Sequence, residues 1–90
     1  MPYIKQDTRD KLDKAIADLI RAVDIATDAD KKDLDGNLNY CFFKICKALY
    51  PRKYHWYNRM IGMMECCKLE LSRRLVAPYE DEKIIENGDV

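Results

Sequence analysis

The chain has few of the residues that punctuate or arm a protein. Among 90 residues there are three glycines, three prolines, one histidine and one tryptophan. The glycines stand apart at Gly36, Gly62 and Gly88, so no glycine-rich loop exists to cradle a phosphate. There is no G-x-S-x-G and no H-E-x-x-H, which removes the commonest hydrolase signatures. No apolar run approaches 18 residues, so no membrane span is expected. The Met1-Pro2-Tyr3-Ile4-Lys5 start leads into charged sequence, so a signal peptide is not expected either. A cytoplasmic setting with reduced thiols follows as the expectation.

The four cysteines do not have zinc-ligand spacing. Cys41 and Cys46 fall on different helical faces, and Cys66 and Cys67 are adjacent. The expectation is free thiols buried as small hydrophobes, with no metal and no cofactor. His55 precedes Cys66 by 11 residues, roughly 16 Å along one helix, so only a neighbouring chain or the second helix could bring a thiol to it. Glu65 and Glu70 are five apart and face different ways. The chain is expected not to be an enzyme.

What is present is helical patterning and a strong charge asymmetry. The formal net charge is zero, but it is unevenly spread. Residues 1–36 carry seven Lys/Arg against nine Asp, and residues 37–78 carry eight Lys/Arg against two Glu. Residues 79–90 carry one Lys against five acids. An acidic start and an acidic tail therefore enclose a basic middle.

Leu12, Ile16, Leu19, Val23 and Ala26 recur at spacings of four and three, one stripe on a helix over about 8–27. Asp7 or Thr8 is the expected N-cap. A second helix over about 36–50 turns Leu38, Cys41, Phe42, Ile45 and Leu49 inward and stops before Pro51. The third and longest covers about 54–76, with Tyr57, Met60, Ile61, Met64, Cys67, Leu71 and Leu75 on one broad face. Gly62 inside it suggests close approach of another backbone. Asn39 and Asn58, inside apolar runs, suggest buried hydrogen bonds between helices.

Ala77-Pro78 is expected to close the third helix. The tail 77–90 is then either a solvated acidic terminus or a short helix from Pro78 to Gly88, with Ile84 and Ile85 arguing that it docks. The fold class predicted is all-α: a single-domain three-helix bundle with a docked acidic C-terminal segment. Ninety residues make a marginal core, and Tyr40, Phe43, Met63 and Leu69 fit no single inner face. A homo-oligomer is expected to cover them.

One stretch is built to touch something else. Tyr50-Pro51-Arg52-Lys53-Tyr54-His55-Trp56-Tyr57-Asn58-Arg59 crowds four aromatics and three Lys/Arg into one loop-to-helix junction. The candidate ligand-binding residues are Arg52, Lys53, His55, Trp56 and Arg59 there, Arg73 and Arg74 further on, and Tyr79 and Asp81 in the tail. Cations beside stacking aromatics suit a partner protein or a small anionic ligand. A nucleic-acid strand is the alternative, less favoured because the acidic tail competes for the same cations. A purely structural assembly protein is the third reading.

Met1-Pro2-Tyr3-Ile4, Leu38-Asn39-Tyr40, Asn58-Arg59 with Ile61-Gly62, Glu65-Cys66, Lys68-Leu69-Glu70-Leu71, Arg73 through Asp81 and Glu86-Asn87-Gly88-Asp89-Val90 carry a resemblance along nearly the whole chain. The sequence resembles a family of small α-helical proteins of phages, prophages and bacteria, a domain of unknown function. The resemblance implies no activity. It does imply that the acidic tail belongs to the design and that the setting is phage-related. Tyr54-His55-Trp56-Tyr57 departs from the family pattern by being unusually aromatic.

Overall fold

The computed structural model describes residues 4–90; the Met1-Pro2-Tyr3 start lies outside the described residues. The protein is all-α, with three helices, the third longest at 34 residues; 82% of the described residues are helical and none is in a strand. The chain divides into two compact units, Met1–Leu49 and Tyr50–Val90.

The first unit is a helical hairpin. Helix α1 (Gln6–Ala26) begins ahead of the expected cap, with Lys5 in extended geometry and no side-chain cap. Asp7 instead lies in the first turn, where a carboxylate complements the positive end of the helix dipole. Gln6 Nε2 donates to Asp10 Oδ1 at 2.8 Å. The helix ends at Thr27, which turns extended at φ −97° and ψ 135°. Its hydroxyl donates to the Val23 carbonyl at 2.6 Å. A threonine hydroxyl that bonds back in this way competes with continuation of the helix.

The connection is held by aspartates. Asp33 Oδ1 accepts from the Asp28 amide at 3.0 Å, and Asp30 Oδ1 accepts from the Lys32 amide at 3.1 Å. Lys31 takes a left-handed conformation at φ 59°, uncommon outside glycine. Its amide donates to the Asp28 carbonyl at 2.8 Å, which closes the turn. Helix α2 (Leu34–Leu49) follows, and Asn37 donates from Nδ2 to Thr27 Oγ1 at 3.0 Å. The asparagine that bonds between helices is thus Asn37. Asn39 and Asn58, expected in that role, are exposed.

The second unit is built on one long helix. It comprises α3 (Tyr54–Leu71), a π-helical turn (Ser72–Val76) and α4 (Ala77–Asn87) without interruption. The expected break at Ala77-Pro78 does not occur, and the tail is the last part of the third helix rather than a separate docked segment. Proline inside an α-helix drives its ring against the carbonyl four residues back and removes a donor. The π turn relieves this by widening the helix just before Pro78, and the Ala77 amide reaches the Ser72 carbonyl five residues back. Pro78 then sits in the first turn of α4. The helix ends at Gly88, whose positive φ of 86° suits glycine and whose amide donates to the Ile84 carbonyl at 2.8 Å.

None of the described residues is buried. Phe42, Phe43, Tyr40 and Leu69 are exposed at 46%, 63%, 62% and 56%, and Met60, Met63 and Met64 are half-buried. Cys41 and Cys46 are half-buried and Cys66 and Cys67 exposed, so none of the four is the buried thiol expected. Among the described residues, and apart from its chain neighbours and the backbone of its own helical turns, no atom lies within 4 Å of where a Cβ on Gly62 would stand.

Candidate functional site

The junction residues are set by the chain's need to restart a helix after Pro51. The Lys53 amide donates to the Pro51 carbonyl at 2.9 Å, and Lys53 is extended at φ −147° and ψ 153°. From there α3 begins, with the Tyr57 amide on the Lys53 carbonyl at 3.0 Å. Lys53 gives no side-chain cap, and the first turn holds no acidic residue. The free amides of that turn and the adjacent Arg52 and Lys53 therefore have the same electrostatic sign.

Trp56 is the centre of this cluster and is half-buried. The Arg59 guanidinium carbon lies 4.2 Å from its ring centroid. Tyr50 meets it edge-on at 6.3 Å and 65°, and His55 is tilted against it at 5.6 Å. Arg59 and Trp56 are one turn apart, so their stacking is a cation–π contact built into the helix. Trp56 and Arg59 are thus committed first to each other. Arg52, Lys53 and His55 remain exposed, and Tyr54 is 81% exposed.

The other expected site residues lie far along the same helix. Arg73 forms an ion pair with Glu70, one turn before it, and Arg74 is exposed in the π turn. Tyr79 is exposed and carries the Lys83 ammonium 5.5 Å from its ring centroid. Asp81 is exposed in α4. Arg59 and Arg73 are 14 residues apart, roughly 21 Å at the rise of an α-helix. One copy therefore does not bring the junction and the Arg73–Asp81 group to a common point. They form two surfaces on one rod.

A concave feature lies in the first unit and was only half visible in the pattern. The facing rows of α1 and α2 enclose an open apolar groove of about 560 Å³. Ile16, Leu19 and Val23 on one wall and Leu38, Phe42 and Ile45 on the other belong to the stripes expected to turn inward. Ile20 and Leu34 join them, with Asp24 and Lys31 as the charged lining residues. Burial is greatest near the connection: Val23, Thr27, Leu34 and Leu38 are half-buried, whereas Ile16 and Phe42 are 49% and 46% exposed. The tie from Asn37 to Thr27 closes that end. Its sequence signal is weak, a polar residue at each boundary of a short connection.

Among the described residues no three His, Cys, Asp or Glu side chains converge to hold a metal ion. No described helix is long and apolar enough to cross a membrane. Comparison with curated proteins finds no match, and comparison with solved structures finds none. The family comparison does: over residues 1–90 the chain matches the domain of unknown function DUF6899, and it belongs to that family.

Proposed function

We infer that the chain is a non-catalytic accessory protein that works as a homo-oligomer and, assembled, binds a partner protein or a small anionic ligand. The phage or prophage setting, implied by the family resemblance, and the cytoplasmic location, expected from the sequence, are part of this reading. One observation carries it: none of the described residues is buried, in a chain that is 48% hydrophobic. A chain of this size has little core to spare, so the apolar rows of the hairpin and of the long helix are covered between copies. The assembled surface then presents Arg52, Lys53 and His55, which are exposed in the single chain.

The test is the mass of the full chain in solution at micromolar concentration, by sedimentation or light scattering. The expected result is a small whole multiple of 10.6 kDa. A folded species of single-chain mass overturns the reading.

Nucleic acid is the second reading, favoured by one detail, the exposed Tyr54 ring beside Arg52 and Lys53. Against it, the Trp56 ring already carries Arg59. Titration with a single-stranded oligonucleotide decides the matter: a steep fall in affinity with salt, with a log–log slope of about −0.7 per phosphate neutralised, establishes the second reading. Salt-insensitive, stoichiometric uptake of a small anion establishes the first.

A further inference from the structure

The ion pairs and cation–ring contacts described on the long helix and its basic junction join residues of neighbouring turns. The α1–α2 groove differs because it is concave, apolar and closed at one end by a hydrogen bond. We propose that its occupant is the same groove of a second copy, so that two hairpins close into a four-helix bundle. The proposal deepens the oligomeric reading above by naming the surface and the symmetry.

Three observations favour a second copy over a different occupant. The first is area. Helix α1 has 21 residues and α2 has 16. Two helices about 10 Å across and at least about 24 Å long present roughly 500 Å² in projection. The corrugated accessible area is larger and comes within reach of the ~800 Å² per partner of a standard interface.

The second is shape. A pair of helices with facing apolar rows leaves one side of each row uncovered. A second pair, related by a two-fold axis, turns four such rows on one centre, which is the geometry of a four-helix bundle. The half-exposed Ile16, Leu19, Phe42 and Ile45 are the residues that such a centre needs.

The third is charge. A two-fold interface sets a patch against itself, so a patch of one sign repels its copy. Residues 1–49 hold nine Lys/Arg and nine Asp, and the charged groove lining is one residue of each sign, Asp24 and Lys31. The hairpin is neutral toward its own copy.

The experiment uses the full chain. A sample mixing isotope-labelled and unlabelled protein is examined for contacts that arise only between copies. The expected result is transfer between the Phe42 ring of one copy and the Ile16, Leu19 or Ile45 methyls of the other. Inter-copy contacts confined to residues 50–90, or from Ile84 and Ile85 onto Phe42, overturn the groove-to-groove arrangement while leaving the oligomeric reading intact. A lone folded subunit overturns both. A co-purifying apolar molecule seated in the groove, found by extraction and mass spectrometry with no inter-copy transfer, overturns the proposal as well. Phe42→Ala is expected to weaken association by roughly 100-fold or more, as at a central interface residue. Ile85→Ala, at a residue 87% exposed in α4, leaves it unchanged. Equal effects of the two variants count against the hairpin as the interface.

Discussion

In the hairpin, the end of α1 and the start of α2 are joined by a side-chain bond from Asn37 to Thr27, ten residues apart in the chain. In the long helix, ion pairs and cation–ring contacts join neighbours three or four residues apart. Lys68 pairs with Glu65 at 3.1 Å, Arg73 with Glu70, and Lys83 with Glu86 at 3.3 Å. Arg59 on Trp56 and Lys83 on Tyr79 are of the same kind. The contrast separates two sources of order. Contacts within a turn fix a rod and say little about what it lies against, and exposed pairs of this sort stabilise a helix by only about 0.2–0.5 kcal/mol each. A contact between helices fixes a concave surface, and a surface selects a partner.

The π turn offers the largest handle on this contrast. Pro78→Ala removes the obstacle that widens the helix, and Ser72–Val76 is then expected to become ordinary α-helix. The gain is up to about 3 kcal/mol for replacing a proline by alanine within a helix. Slower amide exchange across residues 72–80, with raised helicity, is the measurement. Unchanged exchange there assigns the turn to Ser72–Val76 and not to Pro78.

Next is the tie in the hairpin. Asn37→Ala is expected to destabilise the first unit by about 1 kcal/mol, read from urea unfolding. Thr27→Ala also removes the bond from the Thr27 hydroxyl to the Val23 carbonyl and is expected to cost more, with little further loss in the double variant, because the Asn37–Thr27 bond is already gone in either single variant. Full additivity breaks the comparison, since the hairpin then holds together by apolar contact alone.

The smallest effect sharpens the picture of the long helix. Gly62 has open space around it, so Gly62→Ala is expected to stabilise the helix by up to about 1 kcal/mol. A rise in thermal midpoint with unchanged mass places Gly62 in solvent. A fall in association with this single methyl places another copy against it and extends the interface to the long helix.

Much of this architecture is legible in the residues. The stripe Leu12-Ile16-Leu19-Val23 marks α1, Pro51 separates α2 from α3, and Asn87-Gly88 marks the end of the last helix. Each of these signals acts within about one turn, which is why it can be read locally. The N-cap was less legible because Asp7 suits a first turn as well as a cap, and dipole attraction placed it inside. The site was less legible still. Arg52, Lys53, Arg59, Arg73 and Arg74 share a sign and a region of the chain, but helical rise sets the second group roughly 21 Å beyond the first.

Composition and periodicity by themselves determined that this chain is helical, where its apolar stripes run and how its charge is zoned, because helix propensity and side-chain pairing reach only to the fourth neighbour. Tertiary structure decided the rest. It set the stripes of α1 and α2 across an open groove, since the path of the aspartate-held connection fixes which faces meet. It also carried the third helix through Pro78, since a wider turn relieves the steric conflict that would otherwise end it.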